Sequence, residues 1–405
     1  MRTAIVSLGF LASLVAGLVS STTGVRPPTA RQELAVQAGA GSGMYSLTTD
    51  ASGTPYLSWI EPAGEQKHVL KFSSLAGDTW RAPREIARGS NWFVNWADHP
   101  SIAVLGNGSL VAHWLVNNGD KAGSYGYGFR IALSPDGGRA WSEIHAGGTD
   151  NRTGYSGFVS LLPTPEGFDA VYLGPPFHHA GESEGDHTMT LGTLRFGADG
   201  RRIAETVADA DTCSCCSTSM VRTASGTIAA YRDRSSGEIR DISIVRLHGD
   251  RWSVPLPVHR DGWQIAACPT NGPSLAAAGN RVAVSWFTGA GNVPRLKAAF
   301  SNDGGASFAT PQSIDDGRPV GWPSTVLLAD GTAVVSWLES LGNGRGEIRV
   351  RRVAADGRTG PSVTAAETSS GRSTGIPQMV PYRDRLLLAW RTDRVQTALV
   401  AVPSI

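Results

Sequence analysis

The chain is short of the features that usually announce a function. Its 36 basic and 35 acidic side chains leave a formal charge of +1, which gives nucleic acid or an anionic membrane no electrostatic footprint to meet. Beyond the N-terminal stretch, no apolar run is long enough to span a bilayer. Cysteines number only four. None follows the N-terminal apolar run directly, so a lipid-anchored start is not expected. What is plentiful is glycine (49) and tryptophan (12). Many turns and many aromatic anchors point toward all-β architecture. The 18% charged and 41% hydrophobic content is that of a globular chain with length enough for a large core.

The first residues, MRTAIVSLGFLASLVAGLVSST, read as a secretory leader. Arg2 supplies the positive end, Ala4 to Val19 the apolar stretch, and Val19 and Ser21 a small-residue cleavage site. The alternative is an uncleaved anchor helix. The expected organisation is a signal peptide over 1–21, a linker over 22–31 and one domain over 32–405. The mature chain is expected to be secreted or periplasmic, where disulfides persist.

A phrase recurs along the rest. It is a turn residue or two, an alternating apolar strand, then an aromatic: GTPYLSWIE, GSLVAHWLV, GFDAVYLGP, GTIAAYRDR, NRVAVSWFT, GTAVVSWLE and DRLLLAWRT. The aromatics are Trp59, Trp114, Tyr172, Tyr231, Trp286, Trp337 and Trp390, spaced by 55, 58, 59, 55, 51 and 53 residues. Seven copies at that period belong to propellers and solenoids, because one such unit cannot bury both faces alone. A second phrase follows in phase, a glycine turn and an aromatic or its substitute. Its fullest forms are SPDGGRAW (Ser134 to Trp141) and SNDGGASF (Ser301 to Phe308). The Asp is expected to accept backbone N–H groups and the glycines to take positive φ in a tight hairpin.

Ser-x-Asp-x-Gly-x-x-Trp resembles the Asp-box, or BNR repeat, of sialidase-like β-propellers, and the resemblance covers nearly all of the mature chain. It implies four-stranded blades. The seventh unit ends at Ile405 without room for a fourth strand, so QELAVQ (32–37) is expected to supply it. The expectation is a seven-bladed β-propeller closed by an N-terminal strand; the alternative is the six-bladed ring of sialidases.

Propeller topology gathers the entry loops of successive blades on one rim, around the axis. This places DTCSCCS (211–217), with Cys213, Cys215 and Cys216, beside CPTNGPS (268–274), with Cys268. Asp98 and His99 enter the second blade, and Trp96, Trp322 and Tyr155 ring the mouth. The strand-two exits Glu61, Arg232, Asp233, Arg234, Glu339 and Arg391 reach the same rim, as does the long loop 174–187 with His178, His179 and His187.

The cysteines admit several readings. Compartment favours disulfides: Cys213 or Cys216 bridged to its neighbour, and a tie to Cys268 that staples blades four and five. The rival is a soft metal, copper or zinc, held by Cys213, Cys215, Cys216 and Cys268, with His99 or His187 completing the shell. A reactive thiol is the third. For the charged groups, the resemblance implies an arginine grip on a carboxylate, a Tyr–Glu nucleophile pair and an Asp acid. The candidates are Arg232, Arg234, Arg240 and Arg391 for the grip, Glu339 or Glu238 with Tyr231 for the nucleophile, and Asp98 or Asp233 for the acid. The family's Arg-Ile-Pro motif near the first strand is absent. His113, on a strand beside Trp114, reads as a buried, satisfied histidine. Two functions are therefore carried forward. One is a sialidase-like protein that binds or cleaves glycan at the axial mouth, an exo-sialidase if catalytic. The other is a non-catalytic module whose mouth holds a metal ion or a protein partner.

Overall fold

The computed structural model describes residues 31–118, 126–147, 155–175, 189–374 and 376–405. The leader and nearly all of the linker lie outside them, as do His178, His179 and His187. Among the described residues are seven antiparallel sheets. Each contains one strand of the repeated phrase: Pro55–Pro62, Leu110–Asn117, Gly167–Gly174, Gly226–Arg232, Arg281–Thr288, Ala333–Gly342 and Arg385–Arg391. The sheets follow chain order as blades 1 to 7. The ring is seven-bladed, which sets aside the six-bladed alternative.

Blade 7 borrows its outer strand from the other end of the chain. Gln32 pairs with Leu399 and Glu33 with Ala398. The paired segment is shorter than the expected 32–37, since only Gln32–Glu33 is strand. Leu34 continues the ladder with its N–H on the Thr397 carbonyl at 3.0 Å. Outer strands range from Leu256–Pro257 in blade 4 to Arg202–Thr212 in blade 3, which stays paired through three bulges.

Period-two alternation explains why both faces of each blade are apolar. On Arg281–Thr288, Val282, Val284 and Trp286 pack against blade 4, while Ala283 packs against blade 6. The buried side chains fall into seven clusters, one at each interface between neighbouring blades, including the one that closes blade 7 on blade 1. All seven repeat aromatics point toward the preceding blade. Trp59, Trp286 and Trp337 are almost wholly buried. Removing such an indole from water contributes at most roughly 4–6 kcal/mol.

Many of these aromatics are also held by a carboxylate. Trp59 donates to Glu61 at 2.6 Å, Trp286 to Asp261 at 2.7 Å and Trp337 to Glu339 at 2.6 Å. Tyr231 donates to Asp209, and Tyr172 to Glu205 at 3.2 Å. A buried indole N–H needs an acceptor, and these acids supply it.

The inner strands of adjacent blades are joined through side chains. Ser219 Oγ accepts the Leu275 N–H, Ser274 Oγ the Thr325 N–H and Ser324 Oγ the Met379 N–H, each at 3.0 Å. Gln378 Oε1 accepts the Leu47 N–H at 2.6 Å across the closure. These groups line an axial cavity of about 400 Å³. The two fullest hairpins fold around their Asp. Asp136 accepts the N–H groups of Arg139 and Ala140, and Asp303 that of Ser307. Gly137, Gly138, Gly304 and Gly305 take φ between 68° and 89°.

No helix among the described residues is long and apolar enough to cross a membrane.

Candidate metal centre on the blade 4 rim

The loop that enters blade 4 turns back on itself and brings three sulphurs together. Cys213 Sγ lies 3.3 Å from Cys216 Sγ and 4.0 Å from Cys215 Sγ. All three fall within 4.8 Å of one another. Their exposures are 0%, 1% and 7% for Cys213, Cys216 and Cys215. Cys215 is therefore the one nearest solvent. Cys268 is exposed and stands across the blade 4–5 boundary, within interaction range of Cys215 and Ser214. The expected meeting of the two cysteine loops on one rim is thus present. All four cysteines are free thiols.

Backbone contacts fix the loop. The Cys213 N–H donates to the Arg232 carbonyl at 3.1 Å. The Tyr155 hydroxyl donates to the Ser214 carbonyl. Gly272 permits the closest approach: a Cβ there would sit 1.9 Å from the Ser217 carbonyl oxygen. Only glycine lets the two cysteine loops lie backbone to backbone at that point. Asn271 extends the contact to blade 6, its Oδ1 accepting the Trp322 N–H at 2.7 Å.

Two arginines stand behind the sulphurs. Arg240 Nη1 donates to Cys213 Sγ at 3.3 Å, while Nη2 reaches Glu238 at 2.6 Å. The buried Arg232 sends its donors to carbonyls: Asn271 at 2.8 and 2.9 Å, Arg240 at 2.6 Å and Phe287 at 2.7 Å. Its guanidinium lies 4.8 Å from the Trp263 ring centre. Hydrogen bonds from the Cys215 and Cys216 thiols, with the Arg232 charge nearby, hold Cys213 well below the usual thiol range. Cys215 is pushed up chiefly by its bond to Cys213, and Cys216 chiefly by burial. The trio thus favours one thiolate shared among three sulphurs.

His99 does not complete this shell. Its Nδ1 faces the Tyr45 carbonyl at 3.1 Å and its Nε2 the Trp96 carbonyl at 2.7 Å, so both ring nitrogens are spent on backbone. It is not part of the sulphur group. His187 lies outside the described residues. His113 is buried; its Nδ1 accepts the Ser101 N–H at 3.2 Å, and Nε2 has no hydrogen-bond partner. Burial takes its pKa down to about 3 and keeps it neutral.

The grip and the acid–nucleophile pair expected from the sialidase resemblance do not assemble. Arg232 has its donors on carbonyls. Arg234 pairs with Glu238 at 2.8 Å and lies 3.7 Å from Asp211. Arg391 is across the ring, its Nε donating to the Ser42 carbonyl at 2.9 Å. Glu339 is buried; it takes the Trp337 indole on one oxygen and the Arg318 N–H at 2.5 Å on the other. Tyr231 is bound to Asp209 and meets no glutamate nucleophile. Asp233 accepts Ser243 Oγ and the Arg234 N–H, each at 2.7 Å, and burial raises it to about 6.

Asp98 stands apart from these. It lines the axial cavity, and its Oδ2 accepts the Phe158 N–H at 2.9 Å and the Tyr127 hydroxyl at 3.0 Å. Its Oδ1 is buried with no hydrogen-bond partner. Burial raises its pKa to about 7. At the mouth, Trp96 and Trp322 meet edge to face at 5.6 Å, with the Arg372 guanidinium 5.3 Å from the Trp96 ring centre.

Sequence reasoning missed Tyr127, whose ring stacks between Phe93 and Tyr155 and connects the Asp98 carboxylate to the thiol loop. It also missed the joining roles of Asn271 and Gly272. The Asn-Gly pair after Cys268 was a visible turn signal; its contact with Ser217 was not.

No protein-family profile matches the chain, and no curated protein matches its sequence. Solved structures do match. The propeller fold is shared; the sequence is not. A protein of unknown function from Dyadobacter fermentans is 16% identical, with a TM-score of 0.52 over 93% of this chain and 100% of its own. An ulvan lyase of polysaccharide lyase family PL25 is 10% identical, with a TM-score of 0.58 over 91% and 96%. The Hadza microbial sialidase Hz136 is 11% identical with a TM-score of 0.45, and this chain covers 66% of its length. The structural neighbours therefore include polysaccharide-acting propellers, and at these identities they establish the fold.

Proposed function

We propose that this chain is an extracytoplasmic propeller that binds a soft metal ion, copper or zinc, through Cys213, Cys215 and Cys216. The observation that carries the reading is the convergence of three buried sulphurs within 4.8 Å. Thiolates bound at about 2.3 Å to one ion stand roughly 3.8–4.0 Å apart, the separation of Cys213 and Cys215, while the 3.3 Å between Cys213 and Cys216 must widen to admit an ion. Arg240 and Arg232 offset the negative charge that such a centre accumulates. The leader-like N-terminus supports export. In an oxidising compartment, a Cys213–Cys216 bond competes with the metal for the same sulphurs.

The second reading is the sialidase-like one, with its Asp-box kinship and exo-glycosidase chemistry. Among the described residues it keeps one acid beside the axial cavity but no arginine grip, and the lining serines hold the blades together. Expected outcomes separate the two. Titrated anaerobically with copper(I) against a chromophoric chelator, the reduced wild type takes up one ion per chain. Cys213→Ser, Cys215→Ser and Cys216→Ser each lower that affinity by at least a hundredfold. A wild type that never competes with the chelator, or a serine variant that binds as tightly, refutes the metal centre. Turnover of a fluorogenic sialoside by the wild type would restore the glycosidase reading.

A further inference from the structure

The sulphur trio is buried, so an ion must have a way in, and the exposed Cys268 stands on the loop that is pressed against the trio's own loop at Gly272 and Ser217. Resting on the metal reading above, we propose that Cys268 is the exchange thiol of a copper(I) centre. It takes the ion from a thiol-type donor at the rim and passes it through Cys215 to the buried sulphurs.

The ligand set selects monovalent copper. Among the described residues the sulphur group has three thiol donors and no histidine nitrogen or carboxylate oxygen. The predicted histidine among the described residues, His99, has both ring nitrogens on carbonyls. A structural zinc site asks for four ligands in a tetrahedron, whereas soft thiolates suit copper(I).

The route follows from exposure. Cys213 and Cys216 are at most 1% exposed, Cys215 is 7% exposed, and Cys268 is open to solvent. Residue exposure therefore falls in order from the blade 5 loop into blade 4. Gly272 presses the Cys268 loop onto Ser217 and holds that order in place. Transfer is ligand exchange, with copper monovalent throughout. As the Cu–S bond to Cys268 forms, the bond to the donor sulphur breaks, and the Cys268 proton passes to the departing thiolate. When the ion moves inward, the Cu–Cys215 bond replaces the Cu–Cys268 bond, one trio proton returns to Cys268, and the second is released to water as the third sulphur binds. The partner this chemistry fits is a carrier that presents copper(I) on sulphur.

The test separates rate from affinity. Full-length reduced protein is mixed anaerobically in stopped flow with copper(I) bis-bicinchoninate, and loss of the chelate's colour is followed. Wild type loads in a fast phase. Cys268→Ser is expected to slow loading at least tenfold while equilibrium affinity falls by less than about threefold. Cys268→Met, which restores a soft ligand, is expected to recover much of the rate. Unchanged loading by Cys268→Ser overturns the exchange role and leaves the centre standing. A hundredfold loss of affinity makes Cys268 a fourth ligand and equally overturns it. Failure of the wild type to take copper(I) removes both proposals together.

Discussion

At the scale of single residues, partners decide what a charged group does. Glu339 and Arg232 carry the residue types that glycoside chemistry needs, yet their hydrogen bonds are committed to an indole and to carbonyls. Asp98 differs because one of its oxygens is left unpartnered in a buried place. Its pKa is raised to about 7 in the fold, against about 3.9 for an unfolded Asp. Between those values the native state binds more protons than the unfolded state, so stability falls as pH rises from about 4 to 7. Above 7 the whole penalty is present. Asp98→Asn keeps an acceptor for Tyr127 and Phe158 and removes the ionisation. It is expected to flatten this part of the pH dependence and to gain on the order of 2–4 kcal/mol over the wild type at pH 8 relative to pH 4. Urea unfolding of both proteins at the two pH values measures this. A variant that keeps the wild-type slope means that Asp98 is ionised at little cost.

At the scale of strands and loops, much was legible in the sequence because the repeat is a physical one. A strand buried on both faces is apolar throughout, and each here ends in an aromatic that fills the interface with the preceding blade, so Trp59 to Trp390 mark seven blades from the sequence alone. The meeting of the cysteine loops followed from the same spacing. The fate of the strand-two charges did not, because their partners come from other loops and blades: Asn271 for Arg232, Ser42 for Arg391. One hint was available. SWIE and SWLE place a glutamate two residues after the aromatic in blades 1 and 6, which is how an indole acceptor on the same strand face would be written. The loop contact at Gly272 is open to a direct check. Alanine there meets the Ser217 carbonyl 1.9 Å away, so one loop must move. Gly272→Ala is expected to cost about 1–3 kcal/mol of stability in urea unfolding. It should also slow copper loading, because it parts Cys268 from Cys215. If stability and loading both match the wild type, the loops are not held together at this point.

At the scale of the whole molecule, the ring exists only if its two ends meet. The inner strands of neighbouring blades do not pair as a sheet; they are joined by serines and by packed interfaces, and the last interface depends on residues far apart in sequence. Leu34 and Ala38 belong to the same buried cluster as Trp59, Trp80 and Leu387. Thr397 Oγ1 donates to the Leu34 carbonyl at 2.7 Å and accepts the Trp80 indole N–H at 2.9 Å, so one hydroxyl connects the N-terminal strand, blade 7 and blade 1. Opening this seam exposes the third strand of blade 7 as an unpaired edge. Leu34→Ala leaves the backbone ladder intact and removes only the packing. It is expected to cost about 2–4 kcal/mol, as large-to-small changes in a core do, and to lower the midpoint of a single cooperative unfolding transition. A repeat array whose ends do not communicate would instead unfold blade 7 first, in a separate early transition, with the other six blades unaffected. Denaturant unfolding followed by both tryptophan fluorescence and circular dichroism distinguishes these outcomes. Coincident curves that shift together identify a closed ring; a split transition sinks the closure.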